Sequence, residues 1–289
     1  MITFKRILFP VDFSDQCRAI IPCVTGMAER FASELVTLHV LDLPQSWFGS
    51  TEAGAWAALI DADRIRIQGK VALDRFLATE FPAMRMTAVT AEGDAAAQIA
   101  DYAQDDSTDL IMMPTHGYGP FRALLLGSVT AKVLHDAHCP VWTGVHALQM
   151  TAHPPQRWKL MLCAVDTDLR DANVLKWASQ FAQEQGIELR LVHAVLGADP
   201  LDKENDPGLY RFLFNVSREQ IAKVQVAAGT NLEVCLMGGA AGRVVRRAAV
   251  GHDADLIVIG RGVIQKPFGR LHSTSYSIIR EAPCPVISI

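Results

Sequence analysis

The sequence predicts an α/β protein of two tandem domains, each a five-stranded parallel sheet with helices on both faces. Three observations predict it. The chain is written twice, short apolar runs alternate with helical patterns, and two glycine-bearing turns stand where a strand ends and a helix begins.

The repeat organises the rest. Arg6-Ile7-Leu8-Phe9-Pro10-Val11-Asp12 returns as Lys159-Leu160-Met161-Leu162-Cys163-Ala164-Val165-Asp166. Leu35-Val36-Thr37-Leu38-His39-Val40 returns as Leu189-Arg190-Leu191-Val192-His193-Ala194. Asp109-Leu110-Ile111 and Cys139-Pro140-Val141 return as Asp255-Leu256-Ile257 and Cys284-Pro285-Val286, in the same order. The segment from Ala147 to Arg157, carrying Pro154-Pro155, reads as the linker. The domains are therefore expected over 1–147 and 158–289.

In the first half the strands are expected at Arg6–Val11, Leu35–Leu41, Arg85–Thr90, Asp109–Met113 and Val141–Val145. Asp109-Leu110-Ile111-Met112-Met113 is a short apolar run of the kind buried on both faces of a parallel sheet. The first helix shows one apolar face in Ile20, Val24, Met27, Ala28 and Phe31, and the second in Ile65, Leu73, Phe76 and Leu77. A third follows Gly93-Asp94, with Asp94 as its N-cap. Strands alternating with helices imply right-handed crossovers, and ligands of such sheets bind at the carboxyl ends of the strands. The long connections Asp42–Trp56 and Gly197–Pro207 fall at that edge.

Pro114-Thr115-His116-Gly117 is followed after nine residues by Gly127-Ser128-Val129-Thr130. Glycine admits an anion close to the backbone, and the free N–H groups and dipole of a helix start favour negative charge. The pair therefore suits a phosphate. It equally suits a plain turn followed by a helix capped by Ser128.

Composition excludes other classes. Among 289 residues half are hydrophobic and the net charge is -4, giving no electrostatic reason to expect nucleic acid or an anionic membrane as partner. The six cysteines form no CxxC pair and read as reduced core residues of a cytoplasmic protein. Neither a signal peptide nor a bilayer-spanning run is expected.

At these residues the chain resembles the universal stress protein family in its tandem form, over nearly its whole length. Nucleotide-binding members carry a Gly-x2-Gly-x9-Gly-Ser/Thr motif and an Asp soon after the first strand. The resemblance implies adenine-nucleotide alpha hydrolase-like domains and ATP held mainly by the first, with Mg2+ left open as its companion ion. It implies that Asp12, in the stretch Pro10, Val11, Asp12 and Phe13, meets the base edge together with Val40. Met113, His116 and Gly117 would line the ribose and phosphate path, and Gly127, Ser128, Val129 and Thr130 would hold phosphates. It also implies pairing through the last strand of each half, an intramolecular pseudo-dimer, and leaves a homodimer of chains open.

The chain departs from the motif twice. Pro114 replaces the first glycine, which removes an N–H but leaves a carbonyl. In the second half His272-Ser273 replaces Gly-Ser and the spacing is one residue short. Asp166, Gly260, Gly262 and Ser273 make a second candidate site in which the base pocket outlasts the phosphate cradle.

Other readings stand beside these. Asp12 equally suits a helix cap. His39 and His193, set among apolar residues, read as hydrogen-bonded core histidines. No metal site and no catalytic residue is expected: there is no HExxH, no Walker A run and no Gly-x-Ser-x-Gly elbow. The first functional expectation is a non-enzymatic stress-response regulator that binds adenine nucleotide, with slow hydrolysis left open. The alternative is an interaction module that acts through unknown protein partners without nucleotide.

Overall fold

The computed structural model describes residues 1–42, 52–116, 126–144, 158–198, 205–261 and 273–289, with side chains of 52–61 and 273 left aside. Expectations for Gly117, Gly262, His272, Val145 and most of the two long connections fall outside the described residues.

The first half runs β1 (Arg6–Pro10), α1 (Asp15–Ala19), α2 (Ile21–Phe31), β2 (Glu34–Leu41), α3 (Glu52–Glu80), β3 (Thr87–Glu92), α4 (Ala95–Asp105), β4 (Leu110–Pro114), α5 (Ser128–Asp136) and β5 (Val141–Gly144). The second runs β6 (Leu160–Ala164), α6 (Asp171–Gln185), β7 (Glu188–Val195), α7 (Pro207–Ala228), β8 (Val234–Gly238), α8 (Ala241–His252), β9 (Leu256–Ile259), α9 (Ser273–Glu281) and β10 (Val286–Ser288).

The ten strands among the described residues form one sheet in the order β3-β2-β1-β4-β5-β10-β9-β6-β7-β8. Every pairing is parallel except the central one, where β10 runs antiparallel to β5 with Ile287 opposite Trp142. The last strands of the two halves thus cover each other's edges. Within each half the strand order reverses beside the first strand, which makes the carboxyl edge there the natural ligand crevice.

Alternation along β1 splits the core into two layers. Ile7 and Phe9 face the layer that contains Val24, Phe76 and Phe181. Leu8 faces the layer that contains Ile99, Val133, Val245 and Ile279. The halves also meet through aromatic rings. Phe4 stands 5.0 Å from Phe31 and 5.9 Å from Phe181, Phe181 stacks on Trp177 at 5.0 Å, and the Arg30 guanidinium lies 4.3 Å above Trp158.

The apolar face from Ile20 to Phe31 lies on one helix, α2, with Ile20 at its N-cap and Pro22 in its first turn, and the short α1 precedes it. Proline is at home where an N–H has no helical partner, so it opens a new helix there. Two expectations need correction. The third strand begins at Thr87 and not Arg85, because this edge strand is largely exposed and its apolar pattern is faint. Ser128 is not the cap of α5; Gly127 holds that place with φ -61° and ψ 145°.

Candidate functional site

In the first half the carboxyl ends of β1, β2 and β4 bring Asp12, Val40 and Met113 to one edge, and the start of α5 lies behind β4. Each residue has a local cause. Ser14 caps α1 by accepting from Cys17 N at 3.1 Å. Asp12 Oδ1 in turn accepts from Ser14 N at 3.0 Å and from Ser14 Oγ at 2.6 Å. Asp12 thus braces a helix cap with one oxygen, while its Oδ2 has no partner among the described residues. Both readings of Asp12 fit the same carboxylate.

The residues beside Asp12 are committed to the fold. Pro10 and Val11 are buried, and Val11 N donates to Leu38 O at 2.8 Å. Val11 O meets His39 Nδ1 at 2.8 Å. Phe13 holds a left-handed φ of 63° and sets its ring 4.4 Å from His39 and 5.3 Å from Phe76. Val40 is half-buried opposite Ala91, and Met113 is buried opposite Thr143. His116 is half-buried at the end of the turn.

At α5 the groups divide sharply. Gly127 N donates to Thr115 O at 2.8 Å, so this amide serves the turn. The Thr130 hydroxyl is buried and donates to Pro114 O at 3.1 Å, which commits its proton to the turn and takes one of that carbonyl's two acceptor sites. The first helical bond is Ala131 N to Gly127 O at 2.9 Å, which leaves the N–H groups of Ser128, Val129 and Thr130 ahead of the ladder. Among the described residues no side chain caps them, whereas Ser14 caps α1 and Asp94 caps α4. Ser128 and Val129 are exposed. A Cβ on Gly127 would stand 3.3 Å from both His116 Cα and Thr115 O, so the turn is packed for glycine without needing its φ range.

The second half repeats the frame. His193 Nδ1 meets Val165 O at 2.9 Å, as His39 meets Val11. Both rings are hydrogen-bonded core histidines. Ser275 Oγ donates to Gly260 O at 3.1 Å, as Thr130 does to Pro114, across fifteen residues in place of sixteen. The one-residue deletion therefore falls between two latched ends. Here a cavity of about 290 Å³ opens at the carboxyl edge, lined by Asp166, Asp171, His193, Gly260, Arg261 and Ser275 among others. Ser273 starts α9.

Its charges are uneven. Arg170 is held by Asp168 at 2.8 Å. Asp171 accepts from Asp166 N at 2.5 Å but has no cation in contact among the described residues, and burial pushes its carboxyl up to about 6. Arg261 turns away toward α5, donating to Ala137 O at 2.6 Å and to Cys139 O at 2.9 Å. Among the described residues no group of three metal-ligating side chains occurs. Sequence reading missed Asp171, Arg261 and both hydroxyl latches. The repeat carried a signal for the latches, since Thr130 and Ser275 follow Pro114 and Gly260 at nearly equal spacing.

A duplicated five-stranded α/β unit whose helix starts meet the carboxyl edge defines a tandem protein of the adenine-nucleotide alpha hydrolase-like fold. The universal stress protein family model matches residues 3–143 and again 157–289, and the chain belongs to that family. A universal stress protein of Methanocaldococcus jannaschii is 29% identical over 140 residues, 48% of this chain and 80% of its own length. One from Thermus aquaticus is 30% identical over 140 residues, 48% of this chain and 96% of its own. A crystal structure of a universal stress protein from Archaeoglobus fulgidus aligns over 100% of this chain and 97% of its own at TM-score 0.63 and 21% identity, a likeness of fold.

Proposed function

We propose that this chain is a non-enzymatic regulator of the stress response that binds ATP or a related adenine nucleotide in its first half. The observation that carries the reading is the uncapped start of α5. Backbone N–H groups of Ser128, Val129 and Thr130 precede the helical ladder with no side chain among the described residues to receive them. A phosphate supplies the missing acceptors and the negative charge that a helix start favours. Asp12 Oδ2, at the same edge, accepts from the amino group of a base. Where magnesium accompanies the nucleotide, Asp12 and Ser128 would offer it oxygens, and this chain's own part is to orient the phosphates.

The second half supports a different ligand. Its cavity places Asp166 and Asp171 where a phosphate would be repelled, and its two arginines are engaged elsewhere. That chemistry suits a base or amine without phosphates. The interaction-module reading retains the loops and exterior as its working surface.

Calorimetric titration of the full chain with ATP tests the proposal, beside Gly127→Asp and Gly127→Asn. Both residues cap helices well and both bring the same Cβ against His116 and Thr115, so the difference between them reads the charge. Aspartate also sets a negative charge at the phosphate position. Binding should be lost with aspartate and weakened with asparagine. Equal ATP binding by all three proteins, or none by wild type, sinks it.

A further inference from the structure

We infer that Arg261, a residue of the second half, is a positioning residue for the phosphate-facing end of α5 in the first half; the inference rests on the nucleotide reading above. Arg261 directly follows the turn after β9, and its backbone N–H donates to Ile289 O at 3.0 Å. Its guanidinium then crosses to the first half. Nη1 donates to Ala137 O at 2.6 Å and more weakly to Leu134 O at 3.4 Å, and Nη2 donates to Cys139 O at 2.9 Å. These carbonyls belong to the last turn of α5 and to the chain leaving it for β5. Arg261 has no carboxylate in contact among the described residues. Burial lowers its pKa, as expected of a cation taken out of water and met by carbonyl oxygens.

A planar guanidinium that forks onto several carbonyls does two things at once. It meets acceptors that a helix end leaves without intrahelical donors. It also sets positive charge at the negative end of the helix dipole. Helix α5 has nine residues, so it is a rod of about 13 Å. A shift at Ala137 is therefore carried to Ser128, whose amide lies at the other end. Thr130 fixes that other end to Pro114. The helix is pinned at its start by its own half and at its end by the other.

The link runs in one direction. The residue in the place of Arg261 in the first half is Thr115, whose hydroxyl donates to Gly144 O at 3.3 Å, inside its own half. The half that has lost the phosphate motif braces the half that keeps it. This gives the second half a task that does not depend on what its own cavity holds.

The test compares ATP and adenosine affinity, by calorimetry on the full chain, for wild type, Arg261→Ala and Arg261→Lys. A pinned phosphate end predicts that Arg261→Ala weakens ATP by about five- to tenfold while adenosine changes by less than about twofold. Lysine restores charge without the fork and should recover ATP binding only in part. Parallel losses for both ligands mean a merely structural residue and overturn the inference, as does wild-type ATP affinity in Arg261→Ala. Amide hydrogen exchange is read alongside. Amides of α5 should exchange faster in Arg261→Lys than in wild type, and unchanged protection also overturns it. Wild type that binds neither ligand removes the nucleotide reading itself, an outcome distinct from variants that bind like wild type.

Discussion

The Thr130 hydroxyl donates to the Pro114 carbonyl at 3.1 Å, tying the first turn of α5 to the end of β4. Ser275 and Gly260 make the same bond at 3.1 Å in the second half. The latch survives a proline at one acceptor, a glycine at the other and a loop one residue shorter, since a carbonyl is indifferent to the side chain that carries it. It sets the height at which each helix start stands over the sheet edge.

Thr130→Val keeps the volume and removes the donor, leaving a buried carbonyl without its partner. Such a loss costs about 1–3 kcal/mol. Thermal unfolding should shift down by several degrees, while Thr130→Ser stays close to wild type. An unchanged Tm in Thr130→Val means the bond contributes nothing.

Asp171 should make stability fall as pH rises. Its folded pKa of about 6 lies above the ordinary 3.8, so between those values the native state holds a proton that the unfolded chain has released. The stabilising effect is complete below about pH 4 and is lost as pH passes through about 6. Asp171→Asn keeps an oxygen for the Asp166 N–H and removes the charge. The variant should gain at most about 3 kcal/mol over wild type at pH 7 and nothing at pH 4. Urea unfolding at the two pH values reads the difference. A gain equal at both values, or absent at pH 7, contradicts the assignment.

Much of the fold was legible because a repeat reports on itself. Apolar runs at β1, β2, β4 and β5 are buried on both faces, so they stand out in sequence. The exposed edge strand β3 has no such run, and its boundary was misplaced. At the candidate site, the repeat with Asp166 pointed to the sheet-edge position of Asp12, and the spacing pointed to Gly127 at a helix start. The roles of Thr130 and Arg261 were not legible, since each bonds to backbone carbonyls, which leave no mark on the sequence of the acceptor.

Phe181 joins the two halves. It is fully buried, with ring centroids of Phe4, Phe31, Trp158 and Trp177 between 5.0 and 6.2 Å away. Phe181→Ala empties a site walled by rigid rings that collapse poorly, for a cost of about 3–5 kcal/mol. Loss of this cluster weakens the contact between halves beyond β5 and β10, so unfolding should become broader and show two transitions by calorimetry. A single sharp transition at the wild-type temperature would show that strand pairing alone holds the halves together.

Two glycines of α8 should respond oppositely to alanine. A Cβ on Gly242 would stand 2.7 Å from Ser277 O, a backbone atom of α9 that cannot swing aside. Gly242 is buried, and its bareness sets how closely α8 approaches α9. Gly242→Ala must push the helices apart and should cost about 1–3 kcal/mol. Gly251 lies on the same helix in open space, with nothing within 4 Å of an added Cβ. There alanine only lowers the entropy of the unfolded chain and improves helix propensity, for a gain of about 0.4–1 kcal/mol. Chemical denaturation of the two single variants measures both signs. If Gly242→Ala is neutral, α8 and α9 are not held at this contact, and the close approach at residue 242 has no energetic meaning.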